Sequence, residues 1–376
     1  MNVKDIVARF QHVEGQRDNW NNHYQELADY MLPRKADIVK KRSRGEKRME
    51  LIFDGTALQS VDLLSSSLHG MLTSGATPWF HLTMKDEELG RDEDVQRWLE
   101  DSSQRMMRAF TMSNFETEVH EMYVDLVVFG TGCMFVEMDD KTLRFSTRHI
   151  SEFYVTEDQY GIVDTVFRKY ELPARQAVQR FGVDNVGPFI RKTFEKKPDE
   201  NVEILHVVMP RKERDPTKRD NKNMPFASMY ICMETKMILA ESGFQELPYV
   251  VPRFLKATGE VMGRSPAMVA LPDVKMINLM SKTIIQAAQK MIDPPLLVPD
   301  DGFLLPIRTQ PGGLNFYRSG SRDTITPLQT GANIPIGLNM EEQRRMAIRS
   351  AFFVDQLLSG STPNMTGQKL YKDKKK

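Results

Sequence analysis

The chain has 376 residues, enough for two or three domains and a sizeable core. Hydrophobic residues at 40% and charged residues at 27% exclude wholesale disorder. Fifty-one Lys and Arg balance 51 Asp and Glu, so there is no global basic excess of the kind that grips many phosphates, and any nucleic-acid contact must be local or loose. Cys133 and Cys232 lie in runs that read as strands with no nearby histidine pattern, which suits small buried hydrophobes in a reduced compartment and not a zinc site. The start, Met1 to Ile6, carries an acid and no apolar segment, unlike a signal peptide. The longest apolar stretch, Val124 to Met138, is interrupted by Asp125, Gly130, Thr131, Gly132 and Glu137 and is too short to span a bilayer. A cytoplasmic chain without a membrane partner is expected, which does not forbid later incorporation into a particle.

In chain order, Ile6, Phe10, Val13, Trp20, Tyr24, Leu27 and Met31 recur at helical steps and predict one helix ended by Pro33. The basic run Lys40 to Arg48 could meet phosphate, and a solvated loop explains it as well. Leu58, Val61, Leu64, Leu68 and Met71 predict a helix from Thr56 towards Gly75–Pro78. Asp92 opens another, through Val95, Trp98, Leu99, Met106 and Phe110. Ser113 and Glu116 form a capping box for a helix through Phe115, Val119, Met122, Leu126 and Phe129, with Gly130 as its C-terminal cap. Strands are predicted at 133–138, 143–148, 153–156 and 162–170, then at 202–209, 229–233 and 249–255. Between these two sets, Pro173 begins a short helix ending at Gly182. The loop 211–223 mixes both charge signs and reads as solvated surface. Ser265-Pro266 starts a helix that is interrupted or kinked at Pro272 and resumes from Asp273 to Met291, this second stretch being about 28 Å long. Asp293-Pro294-Pro295 stops it. Asn339 with Glu342 caps a final helix ending near Leu358. An extended insertion of about 45 residues separates these two helices, longer than ordinary loops, and such segments usually carry function.

A search for chemistry finds almost nothing. There is no Gly-x-x-x-x-Gly-Lys-Ser/Thr loop, and His120-Glu121 lacks the second histidine of a zincin. No Gly-x-Ser-x-Gly elbow is present. Asp300-Asp301-Gly302 lacks the spaced ligands of a calcium loop. The pairs Asp139-Asp140 and Glu341-Glu342 read as surface carboxylates, and the seven histidines are scattered. No enzymatic activity, cofactor or metal is expected.

Several blocks together resemble the head-to-tail connector (portal) family of podoviruses. They are Trp20-x-x-x-Tyr24-x-x-x-Ala28-x-Tyr30-x-x-Pro33, Phe53-Asp54-Gly55-Thr56-Ala57, Trp79-Phe80-x-Leu82, Ser113-Asn114-Phe115 and Phe129-Gly130-Thr131-Gly132. Then follow Gly263-Arg264-Ser265-Pro266, Leu271-Pro272-Asp273-Val274-Lys275 to Asn278, Pro294-Pro295, Pro311-Gly312-Gly313-Leu314-Asn315 and Pro363-Asn364-Met365-Thr366. Each block alone is weak; their order over nearly the whole chain is specific. The resemblance implies an α+β portal-type fold. On that reading residues 1–260 are a wing of helices and mixed sheets, and 261–291 the first stem helix. Residues 292–337 are the clip, 338–358 the second stem helix, and 359–376 a tunnel-loop-like segment with a basic tail. The family continues beyond Met365-Thr366 with a long helix and a crown, which this sequence does not; a truncated gene product, a split gene or trimming would each explain that.

The resemblance further implies a ring homo-oligomer of about twelve copies at a capsid vertex of the virion, assembled in the host cytoplasm. Double-stranded DNA would pass through it during packaging and ejection, with terminase, tail adaptor, capsid and scaffold proteins as partners. Candidate channel residues on the paired helices are Lys275, Lys282, Lys290 and Arg349. Candidates for partner docking on the insertion are Arg308, Asn315, Tyr317, Arg318 and Arg322. Arg344 and Arg345 are expected to pair with Glu341 and Glu342 at helical spacings. The methionines Met276, Met280 and Met291 suit adaptable packing between subunits. Two other classes stay open on the residues alone: a nuclease-like DNA-packaging enzyme, and a tail or baseplate protein without a DNA channel.

Overall fold

The computed structural model describes residues 2–43, 45–86, 88–138, 142–218, 220–297, 326–327 and 334–361. The fold is α+β. The single N-terminal helix that the periodicity predicts is two: α1 (Val3–Gln16) and α2 (Asp18–Met31), meeting at Arg17. The break has a physical cause. Arg17 is buried and donates to the backbone carbonyls of Ile150 and Phe153, with its guanidinium 4.5 Å from the Tyr154 ring centre. Turning there lets α1 place Ile6, Val7 and Phe10 in one core while α2 places Tyr24, Leu27, Ala28 and Met31 in another.

The second core is built around three helices, α3 (Thr56–Leu72), α5 (Phe115–Phe129) and α8 (Pro266–Ile292). Helix α4 (Glu93–Thr111), capped by Asp92 as expected, lies outside them. The C-terminal half of α5 is buried nearly all round and is accordingly central, with Val124, Val127, Val128 and Phe129 in the core. Its expected capping box does not form. The Ser113 hydroxyl accepts from Phe115 N at 3.1 Å, and Glu116 lies instead against Gly75. Tertiary pairing sets this end: Asn114 exchanges two side-chain hydrogen bonds with the backbone of Phe145, at 2.8 and 2.9 Å.

After α5, β1 (Met134–Met138) pairs with β2 (Leu143–Thr147). Then β3 (Phe153–Glu157), β4 (Val163–Pro173), β5 (Asn201–Pro210), β6 (Phe226–Cys232) and β7 (Met237–Phe244) form an antiparallel five-stranded sheet in sequence order. One face, carrying Phe167, Leu205, Val207, Met229 and Ile231, lies under α1. The alternation of each strand puts Arg168, His206 and Tyr230 on the other face. Between β4 and β5 run α6 (Ala174–Phe181) and α7 (Gly187–Lys196). Pro173 does not start α6; it is the last residue of β4, and Gly182 ends the helix as expected. The sequence pattern missed α7 because it buries only Ile190, and β7 because an edge strand alternates weakly. The predicted strand 249–255 shrinks to β8 (Tyr249–Val250), with single bridges at Arg253 and Leu255, since Pro252 has no N–H to give to a ladder. Cys133 and Cys232 are buried and free.

Helix α8 is continuous over 27 residues, about 40 Å, with no interruption at Pro272. Pro272 sits on its exposed side, where water can reach the carbonyl that the missing N–H leaves unpaired. After α8, β9 (Leu296–Leu297) pairs with β10 (Thr326–Pro327). Helix α9 (Ile334–Ala351) runs back along α8. It begins five residues before Asn339, which is therefore an interior, exposed residue and not a cap. The earlier start continues the packing on α8, since Gly337 lies so near Ile284 that a Cβ there would be 3.0 Å from Cδ1. Nor does one helix reach Leu358. Phe353 takes φ +58°, Phe352 and Val354 turn inward, and α10 (Val354–Ser361) follows.

Two backbones touch where α8 leaves the body. Gly130 has φ +76°, and a Cβ on it would lie 2.4 Å from the Gly263 carbonyl oxygen. A Cβ on Gly263 would lie 2.2 Å from the Gly130 oxygen. Thr131 Oγ1 accepts from Gly263 N at 2.8 Å, and Ser265 Oγ donates to the Val128 carbonyl at 2.8 Å. Gly130→Ala and Gly263→Ala should each lower stability by about 2 kcal/mol or more, read from urea denaturation midpoints; Gly55→Ala, where a Cβ meets open space, serves as the control.

Candidate functional site

The α8–α9 pair carries the expected channel candidates, and a polar node fixes that pair to the body. Asn278 of α8 is buried; its Oδ1 accepts from Phe53 N at 2.6 Å and Asp54 N at 3.0 Å, and its Nδ2 donates to Val274 O. One turn on, Ser281 Oγ donates to Glu341 of α9 at 2.6 Å. Arg345 then binds three carboxylates, Asp54 at 3.0 Å, Glu341 at 3.3 Å and Glu342 at 3.4 Å. Burial works to raise the Asp54 pKa, but Thr56 and Arg345 outweigh it and hold the carboxyl below its ordinary range. The same exchange with Asp54 holds the Arg345 guanidinium firmly charged against its own burial.

The expected Arg345 pairs with Glu341 and Glu342 are present. Arg344 instead reaches across to Asp273 of α8 at 2.8 Å, because the antiparallel pairing brings that carboxylate nearer than its own helix's acids. Among the channel candidates, Lys275 pairs with Glu26 at 3.2 Å and Arg349 with Glu342 at 3.7 Å. Lys282 lies 5.6 Å over the Phe53 ring. Lys290 is exposed and has no ion pair among the described residues. The three lysines fall on one flank of α8 but do not converge on a point. The docking candidates Arg308, Asn315, Tyr317, Arg318 and Arg322 lie outside the described residues. In the basic run, Lys41 pairs with Glu171, Arg42 with Asp29 at 2.8 Å and Arg48 with Asp37 at 2.6 Å.

A cleft of about 840 Å³ lies elsewhere, between α4 and residues 78–84, floored by Phe80, Leu82, Met84, Leu99 and Met107. Among the described residues, no cluster of three or more His, Cys, Asp or Glu could hold a metal ion, and no helix is long and apolar enough to cross a membrane. Asp54, Asn278 and Ser281 were missed as a unit by sequence reasoning. The signal for Asn278 and Ser281 is that polar residues fall on the buried stripe of α8; Asp54 precedes α3 and gives no such signal.

The profile of the family described as bacteriophage head to tail connecting protein matches residues 3–374. The chain belongs to this connector family. It is 31% identical over 380 residues to the probable portal protein of Bordetella phage BPP-1, covering 96% of this chain and 67% of that protein. It is also 31% identical over 358 residues to the portal protein of Salmonella phage epsilon15, covering 93% and 64%. The connector chain thus spans about two thirds of the length of these curated relatives. The family is structural, not enzymatic.

The node makes the connector's helical pair sensitive to particular changes. Arg345→Met strands the buried Glu341 and should cost about 2–4 kcal/mol, whereas Arg344→Met removes a half-exposed pair worth less than about 1 kcal/mol. Because the folded Asp54 pKa lies below the unfolded value of about 3.9, its contribution is complete above that value. It is lost as pH falls through the folded pKa. Asp54→Asn should therefore flatten the acid limb of stability between about pH 5 and pH 2.5, as urea midpoints across that range will record.

Proposed function

We propose that this connector chain is the subunit of a closed ring at a capsid vertex, through which double-stranded DNA is packaged and later ejected. The body up to residue 260 serves as the wing, α8 and α9 as the paired stem, and 292–337 as the clip that meets terminase and then the tail adaptor. Capsid and scaffold proteins contact the ring during assembly in the host cytoplasm. The observation that carries this reading is the outer face of α8. Val269 and Leu279, 72% and 67% exposed, share it with Met276, an apolar stripe that a monomer leaves in water. A ring closed by head-to-tail contacts would cover it. Purified full-length chain should form rings by electron microscopy, with a pore wide enough for a duplex, and Leu279→Lys should shift it towards monomers. A stable monomer at every salt concentration would count against the ring.

A conduit must release every stretch of a genome, so contacts should be few, made to phosphates and indifferent to sequence. Zero formal net charge and the pairing of most stem cations with acids fit that requirement. Lys290 and Lys282, which lack a carboxylate partner among the described residues, are the channel candidates of choice, ahead of Lys275 and Arg349. Lys282→Ala with Lys290→Ala should alter DNA retention and leave ring assembly intact. Binding of rings to two unrelated duplexes over a salt series should be weak and equal; tight binding to one of them at high salt would overturn the conduit reading.

A further inference from the structure

The upper face of the five-stranded sheet gathers three guanidiniums that the connector role does not use. Arg168, His206 and Tyr230 are register partners on β4, β5 and β6. Arg168 lies 4.0 Å over the Tyr170 ring and donates to Glu152 at 2.9 Å. Arg180 reaches from α6 over the Tyr230 ring at 4.9 Å and donates to the Tyr230 hydroxyl at 2.9 Å. Arg148, just beyond β2, lies 5.5 Å over the Phe135 ring. It makes no ion pair among the described residues, and its Nε is buried without an acceptor. The Tyr170 hydroxyl is buried and unpaired as well.

These groups are linked through one run of rings: Phe135, under Arg148, lies 5.8 Å from His206, which stacks at 4.1 Å on Tyr230, under Arg180. Burial and then Arg168, Arg180 and Arg148 hold His206 neutral, and the same three cations oppose the burial that raises Tyr170. Of the three guanidiniums, Arg168 alone makes an ion pair among the described residues, with Glu152. The Nε of one half-buried guanidinium and one buried hydroxyl lack partners, an arrangement that costs free energy unless something supplies them. Guanidiniums from three elements, together with an unpaired hydroxyl, match the several acceptor oxygens of a tetrahedral anion better than the two of a carboxylate.

We propose that Arg148, Arg168 and Arg180, with the Tyr170 hydroxyl, form a binding site for a phosphate group. The group is either free phosphate or a phosphodiester of nucleic acid, and the test separates the two. Thermal unfolding of the full chain is followed in inorganic phosphate, in chloride at matched ionic strength, and with a short oligonucleotide. Phosphate stabilises folded proteins in general, so the comparison that decides is between wild type and variants. At ten times its dissociation constant, phosphate should raise the wild-type midpoint by about 2 °C more than it raises that of Arg148→Met. In chloride Arg148→Met should be at least as stable as wild type, because it removes a buried N–H with no acceptor; marked destabilisation would make Arg148 a structural residue and overturn the site. Arg180→Gln, on the exposed side of α6, makes the same comparison independently. An Arg148-dependent rise with the oligonucleotide assigns the phosphodiester, and one with free phosphate alone assigns the ion. An equal phosphate response in wild type and both variants, or none in wild type, overturns the proposal.

Discussion

Where α8 leaves the body, two main chains pass with no room for a side chain between them. The carbonyl of Gly130 and the backbone of Gly263 are in contact, and neither position tolerates a Cβ. Gly130 also ends α5 in the left-handed region, so one residue both stops the central helix and admits the second strand of chain. Ser265 adds a double function, capping α8 through Met268 N while donating to Val128 O of α5. The direction of a 27-residue helix is thereby set by its first turn. A small error there would be magnified along about 40 Å.

The second constraint lies midway along α8, where Asn278, Ser281, Asp54, Glu341 and Arg345 bind α8, α9 and the start of α3 into one polar unit. Directional bonds of this kind hold register, which apolar packing alone leaves free to slide. The rest of α8 is thus free to keep an exposed apolar face and a flank of lysines without losing its position. Function in a connector can reside on surfaces because the interior fixes where those surfaces point.

Charge follows the same division. Equal numbers of acids and bases could have meant scattered surface charge, yet many pairs join distant segments. Arg42 meets Asp29, Lys35 meets the buried Asp125, and Arg344 meets Asp273. Lys41 and Arg42 of the basic run therefore pin a long connection to β4 and α2, where a phosphate-binding reading of the same residues would have left them free.

The order of most elements, the α+β class and the family are legible in the residues alone. Helical periodicity located α3, α4, α5 and α8, alternation located β1 to β6, and Gly130, Gly182 and Asp92 marked their ends by local backbone chemistry. Only tertiary structure decided the rest. Arg17 breaks an unbroken periodic pattern because two different cores claim its two sides. Asn339 carries the signature of a cap but lies inside α9, because packing on Ile284 extends the helix past it. Ser113 loses its capping partner because Asn114 is held by β2. The node on α8 and the arginines over the sheet were illegible for one reason: each joins residues far apart in the chain, and local sequence holds no record of which distant atoms will meet.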